Sequence, residues 1–271
     1  VRTVLRGVRV TPPRVLRLDV EYDGAGFAGW AAQPGERTCE GVLTAALRTV
    51  LREPVTVRVA GRTDAGVHAT GQVVSVATRA DVAPRRLLRA MAGLLPRDIA
   101  VRAVSEAPPG FDARADAVSR GYEYRVLTGP PAPLRRARTL HHPAPLDVAA
   151  LGAAAAAVVG THDFTAFTPT DTQHVFFART VLRCAWEARD DELVLCIEAN
   201  AFLRHMVRVL VGTMLLVGRG RLDPAGLARL LEGAPRSAAG PTAPAHPLTL
   251  VTVRYPAAGA AGATPILGGG E

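Results

Sequence analysis

The run Val59-Ala60-Gly61-Arg62-Thr63-Asp64-Ala65-Gly66-Val67-His68-Ala69-Thr70-Gly71-Gln72 decides how the chain divides into elements. β-like segments flank it, Val55 to Val59 before and Gln72 to Thr78 after. Its three glycines allow the backbone to turn sharply and to come close to a ligand. Arg62 and Asp64 are its only charged residues. From the residues alone, Asp64 has two readings. Its side chain closes a turn or caps a helix, the commonest task of an Asp near Gly, or the loop presents a reactive carboxylate.

Working outward, Leu16, Leu18 and Val20 alternate with Arg17, Asp19 and Glu21, which predicts a strand from about Val15 to Tyr22. Thr38 is placed to cap a helix carried by Val42, Leu43, Ala46, Leu47 and Val50 that ends before Pro54. After the glycine-rich loop come the strand Gln72 to Thr78, a helix from Pro84 to about Gly93 and a strand from Ile99 to Val104. The order is β-α-β-β-α-β.

Pro108-Pro109-Gly110 reads as a hinge, and beyond it the pattern starts again. The second series is a strand near Gly121 to Leu127, an Ala-rich helix from about Leu146 to Val159, and a hairpin of Thr180 to Glu187 and Leu193 to Glu198 around Asp190-Asp191. It continues with a helix from Phe202 to Val217, a short helix near Pro224 to Glu232 and a strand from Leu248 to Val253. The expected fold class is α+β, with two pseudo-repeated β-α-β-β-α-β halves, 14–108 and 109–256. They form one broad mixed, mostly antiparallel sheet with helices packed on it. Residues 1–13 and the Ala/Gly-rich stretch 257–271 are expected to be tails.

The chain has 271 residues, of which 48% are hydrophobic, so it can bury a sizeable core. No apolar run approaches the roughly 18 residues of a membrane span, and Arg2, Arg6 and Arg9 interrupt the apolar amino terminus. The expected location is the cytoplasm, with no membrane association. Cys39, Cys184 and Cys196 have no metal-like spacing and read as reduced, structural thiols. All 32 basic residues are arginine against 24 acidic ones, for a net charge of +8, divided +6 over residues 1–110 and +2 over 111–271. The surplus favours a polyanionic partner, while the complete lack of lysine is better explained by a GC-rich genome.

In the helix predicted over Phe202 to Val217, Arg204, His205, Arg208 and Gly212 share one arc of about 100° while most other positions are apolar. A buried helix that turns one polar arc toward something needs a partner there, because removing an unpaired charge from water costs several kcal/mol. A structural ion pair and a functional one fit that pattern alike.

The glycine-rich run, together with Tyr22-Asp23-Gly24, Phe27, Gly29-Trp30, Phe111, Tyr122-Glu123-Tyr124 and Asn200-Ala201-Phe202-Leu203-Arg204-His205-Met206-Val207-Arg208, resembles the TruA-type tRNA pseudouridine synthases over roughly residues 14 to 256. The resemblance implies the pseudouridine synthase fold, with a cleft across the sheet between the halves, and Asp64 as the catalytic nucleophile. It assigns Arg208 to pairing with Asp64; Arg204 is held in reserve, and Arg62, a second nearby cation, fits the same task of keeping the carboxylate ionised and oriented. Tyr122 matches the family's active-site tyrosine, whose ring stacks on uracil and whose hydroxyl helps to move a proton; on pattern alone it is equally an amphipathic strand residue. The implied reaction breaks the N1 glycosidic bond and rejoins the base to ribose through C5, with neither metal nor organic cofactor. Attack by Asp64 on C1′ of the ribose or on C6 of the uracil remains open.

The resemblance further implies a tRNA anticodon stem-loop as partner, with nucleotides 38 to 40 as targets, base flipping, and a homodimer. Candidate RNA contacts are Arg204, His205, Arg79, Arg85, Arg86, Arg89 and the loop Arg135-Arg136-Ala137-Arg138, with Phe27 and Trp30 for stacking. Thr38-Cys39-Glu40 and the stretch Gln173 to Ala178 depart from the family's pattern, which bears on tRNA contacts. The rival class is a non-catalytic protein with tandem RRM-like halves, which share this element order. Neither half carries the RRM pattern of a basic residue, Gly and aromatics on one strand. A small-molecule hydrolase with an aspartate nucleophile would leave the arginine surplus without a task.

Overall fold

The computed structural model describes residues 13–256, so the predicted tails, Pro13 apart, lie outside them. The first half follows the predicted order: β1 (Arg14–Tyr22), α1 (Cys39–Leu51), β2 (Val57–Val59), β3 (His68–Thr78), α2 (Pro84–Leu94) and β4 (Ile99–Ala107). The Thr38 hydroxyl accepts a hydrogen bond from the Gly41 amide at 3.2 Å, which starts α1 as predicted, and Arg52 in the left-handed region ends it. The second half contains β5 (Ser119–Leu127), β6 (Leu140–His141), α3 (Val148–Val158), β7 (Gly160–Asp163), β8 (Ala178–Arg189), β9 (Glu192–Ala199), α4 (Met206–Gly218), α5 (Pro224–Leu230) and β10 (Leu248–Arg254).

Three departures from the predicted elements have identifiable reasons. β3 begins four residues earlier than its hydrophobic alternation suggests, because Ala69 pairs with Tyr22 and His68 with Thr249. The connection from β2 to β3 therefore shrinks to residues 60–67. The second half gains two short strands, β6 and β7, too brief to show a period. The helix predicted from Phe202 starts only at Met206, because His205 has φ 61° and cannot continue helical geometry backwards.

The ten strands form one sheet in the order β4-β1-β3-β10-β5-β9-β8-β7, with β2 beside β3 and β6 beside β5. The first half runs β4-β1-β3-β2 and the second β10-β5-β9-β8, so both halves follow the same fourth-first-third-second order. Pairing is antiparallel except at β3–β10 and β5–β6. The halves join along one edge of β3, which β2 occupies at Val74 to Val76 and β10 at His68 and Ala69. Gly71 lies beside this joint, where any Cβ would collide with the backbone carbonyl of Val251.

Leu16, Leu18, Val20 and Tyr22 of β1 share one core with Leu43 and Leu47 of α1, Leu87 and Met91 of α2, Leu151 of α3 and Val209, Leu210 and Met214 of α4. α4 is apolar almost all round and is an interior helix. The opposite face of the sheet carries a smaller cluster in which Phe111 and Tyr255 pack on Ala60, Val73 and Ala113. The Tyr255 hydroxyl donates to the Ala113 carbonyl at 2.7 Å, and Ala113 donates to Ser75 Oγ at 3.0 Å. The chain leaving Pro108-Pro109-Gly110 is thus fastened to the sheet. Cys39 and Cys184 are buried, and burial pushes both thiols up to about 12, which makes them unreactive packing residues.

Candidate active site

The loop 60–67 is held from below by buried polar groups. The Tyr22 hydroxyl lies 2.7 Å from Thr63 Oγ1 and accepts from Gln72 Nε2 at 3.2 Å, while the same amide nitrogen donates to the Gly61 carbonyl at 2.7 Å. The Trp30 amide donates to the Thr63 carbonyl at 3.0 Å. Arg120, a buried arginine, gives Nε and Nη2 to the Ala60 carbonyl at 3.0 and 2.8 Å and further bonds to the carbonyls of Arg114, Ala117 and Asn200. Its burial lowers the guanidinium pKa. These contacts bind the first part of the loop, at residues 60, 61 and 63, to both halves. Gly24 meets the loop so closely that a Cβ there would collide with the Val67 carbonyl.

Asp64 rises from this base with its side chain 27% exposed. Its Oδ2 accepts a hydrogen bond from Arg208 Nη1 at 3.1 Å, and Arg208 is 17% exposed. Arg208 sits in the first turn of α4, and its Nε donates to the Ala243 carbonyl at 2.8 Å. That second bond aims the guanidinium, so the pair is fixed from both the α4 side and the 243 segment. The Arg208 carbonyl in turn accepts from the Ala243 amide at 3.0 Å. His205 approaches the same carboxylate oxygen, with Nε2 at 3.6 Å. Burial lowers the His205 pKa, the neighbouring Asp64 works against that shift, and Arg208 and Arg204 reinforce it.

Tyr122, on the inward phase of β5, is buried, with its ring edge-on to Phe202 at 5.2 Å. Burial first, and the Asp64 charge second, push its phenol above the ordinary tyrosine value. A phenol so placed keeps its proton at neutral pH. It is a packing surface and a hydrogen-bond donor, and it is a poor base.

The structure brings Asp64, Arg208, His205 and Tyr122 to one place and leaves other candidates elsewhere. Arg62 is on the loop but exposed, with no ion pair or hydrogen bond among the described residues. Arg204 is not on the polar arc of a helix: it precedes α4 and pairs with Asp171, so it is not in reserve for Asp64. Phe27 and Trp30 are 4% and 1% exposed, packed with Tyr22, and in this state offer no ring for stacking. Their apolar bulk fills the core under the loop. Arg79, Arg85, Arg86 and Arg89 are exposed and without ion pairs among the described residues. Arg135 is held by Asp191 and Glu192, whose carboxylates raise its pKa.

Arg120, Gln72 and the Ala243 carbonyl were not singled out from the sequence as site-forming groups. For Arg120 a signal existed. It falls in phase with Tyr122, Tyr124 and Val126 on an alternating strand, so a charge had to be buried there. The Ala243 carbonyl has no side-chain signature at all.

The family model of tRNA pseudouridine synthase matches residues 20–114 and 154–256, which include Asp64, Arg208, His205 and Gln72. The tRNA pseudouridine synthase A of Frankia casuarinae is 49% identical over 245 residues, covering 89% of each chain. The enzyme of the same name from Chloroflexus aurantiacus is 43% identical over 251 residues, covering 90% of this chain and 89% of its own. A solved Cbf5-Nop10-Gar1 complex aligns with 74% of this chain and 45% of the matched chain at 12% identity and a TM-score of 0.34. With a family match over most of its length and relatives this similar along nearly all of it, the chain belongs to the tRNA pseudouridine synthase family and is an isomerase.

Proposed function

We propose that this protein isomerises uridine to pseudouridine at positions 38 to 40 of the tRNA anticodon stem-loop, acting in the cytoplasm as a homodimer, with Asp64 as nucleophile. The observation that carries the reading is the half-buried ion pair of Asp64 and Arg208, fixed by the Ala243 carbonyl beside the Tyr122 ring. The halves 14–108 and 109–256 are the lobes on either side of that site.

Asp64 attacks at C1′ of the ribose or at C6 of the uracil, and either route needs the anion. Arg208 orients the carboxylate and stabilises its charge where bulk water is partly excluded. Tyr122 supplies an apolar face for the uracil, with Phe202 keeping that ring upright. A target inside a stem is out of reach of Asp64, so the nucleotide is flipped out of the stack. Arg62, exposed on the same loop and unpaired among the described residues, contacts the RNA at the point of entry. Arg79 and Arg86 are available for phosphates because they have no carboxylate partners among the described residues, whereas Arg135 is engaged by two.

Incubation with an unmodified tRNA transcript, followed by mapping of pseudouridine, tests the reading. Product at one or more of positions 38, 39 and 40, lost in Asp64→Asn with tRNA binding retained, is the expected result. Product elsewhere would overturn the assigned target, and full activity in the Asn variant would overturn the nucleophile. Affinity measured against salt concentration should fall steeply, because arginines displace counterions from phosphates. A flat dependence would reject the polyanion reading of the charge surplus.

A further inference from the structure

Tyr22, Gln72 and Arg120 hold the first part of the loop 60–67, and the residue that closes its other end is His68, the first of β3. The ring is 2% exposed. Its Nδ1 accepts from the Gly24 amide at 3.0 Å, with Asp23 Oδ1 at 3.1 Å, and its Nε2 lies 2.9 Å from the His246 carbonyl and 3.1 Å from the Ala137 carbonyl. A ring nitrogen that accepts from Gly24 leaves the proton on Nε2. A second proton, taken up toward Asp23, leaves it there too, so in either state Nε2 is the donor to the two carbonyls. One buried side chain thereby joins the turn after β1, the segment before β6 and the segment before β10.

The last of these leads to the ion pair. Residues 243–247 carry the Ala243 carbonyl that receives Arg208 Nε, the Pro244 carbonyl that accepts from the Tyr124 hydroxyl at 3.1 Å, and the His246 carbonyl. Pro244 and Pro247 fix φ at two of these five positions, which leaves the segment little freedom to absorb a shift at His246. The His246 ring, with Nε2 3.2 Å from the Thr139 carbonyl, ties the same segment to the chain before β6 a second time.

We propose that His68 is a positioning residue for the Asp64–Arg208 pair. Through the His246 carbonyl it sets the Ala243 carbonyl that aims Arg208. Through Gly24, which lies against the Val67 carbonyl, it sets the end of the loop that carries Asp64. The two members of the pair come from different halves, and His68 registers one against the other. The inference rests on the function proposed above, in which that pair is catalytic.

The test is a double-mutant cycle of His68→Asn and Arg208→Met, read as the single-turnover rate at saturating tRNA. Asn keeps an acceptor for Gly24 near the Nδ1 position and loses the donor to His246, so it isolates the route to Arg208. Expected is a rate about tenfold lower or more in the wild-type background, and less than about threefold lower in the Arg208→Met background, because the guanidinium through which His68 acts is gone. His68→Gln, whose amide reaches the Nε2 position, should recover most of the loss. Rates are compared at a temperature at which thermal melts show every variant folded. A residue that only supported the fold would cost the same factor in both backgrounds, and that result would overturn the proposal, as would a Gln variant no faster than the Asn one. An Arg208→Met protein as fast as the wild type would instead remove the catalytic role of the pair, and this inference with it. Wild-type protein that makes no pseudouridine would overturn the isomerisation itself.

Discussion

The two halves share a strand order but treat the connection between their second and third strands in opposite ways. In the second half, β8 and β9, with 12 and 8 residues, are closed by the two-residue turn Asp190-Asp191. In the first, β2 has three residues and pairs only with Val74 to Val76, and the chain then leaves the sheet for eight residues before β3 begins. That shortening does two things. It leaves the His68 end of β3 open for β10, which joins the halves, and it places Asp64 at the joint. The proposed nucleophile sits where the repeat is broken.

The largest effect is expected from Asp64→Asn, a nearly isosteric change that removes the proposed nucleophile. The single-turnover rate should fall roughly 10⁴-fold or more with tRNA affinity unchanged, whereas residual activity within about tenfold of wild type would assign the nucleophile elsewhere. Next comes Arg208→Met, which keeps much of the bulk and removes the cation. The rate should fall about 10²-fold, with Arg208→Lys between the two because it keeps charge but loses the planar fork. A full rate in a well-folded Met variant would reduce the ion pair to an anchor.

Arg120→Met should act on the scaffold. It leaves four backbone carbonyls without their donor and should cost at least about 2 kcal/mol in a denaturant titration. Activity should fall as well, since Ala60 begins the loop that carries Asp64; stability lost with activity intact would uncouple that loop from the sheet. The smallest effect belongs to the hairpin. Two glycines inserted between Asp190 and Asp191 double the turn, at a loop-closure cost of about 0.6 kcal/mol, and should leave the rate within about twofold, a difference of under 0.5 kcal/mol in the barrier. A large loss of rate there would show that the second half's turn also shapes the site.

Much of the architecture was legible because it follows from patterns of period two and 3.6. Leu16, Leu18 and Val20 against Arg17, Asp19 and Glu21 mark one face of a strand, and Thr38 followed by a helical repeat marks a capped start. The Asp64–Arg208 contact came only from resemblance, because 144 residues separate the partners and no local pattern records that distance. The polar arc misplaced Arg204 because periodicity does not register one left-handed residue at 205. Phe27 and Trp30 are candidates for stacking on sequence because they lie between β1 and α1, where no periodic pattern marks them as core. In the structure that segment folds over the loop and buries both rings.

The position of β10 bears on the order of events at the ribosome. It is the last strand described, yet it lies in the middle of the sheet, between β3 and β5. Until residues 248–254 leave the exit tunnel, the nascent chain therefore exposes two unpaired edges, and the halves have no shared strand to register them. Local pairs such as β8 and β9 can close early, while the pairing that sets Asp64 against the second half has a sequence separation of about 180 residues, Ala69 to Leu250. Long-range closure of this kind is slow. Synthesis of this protein should accordingly pass through a stage in which both halves are largely folded and chemically inert, with edges open to other chains.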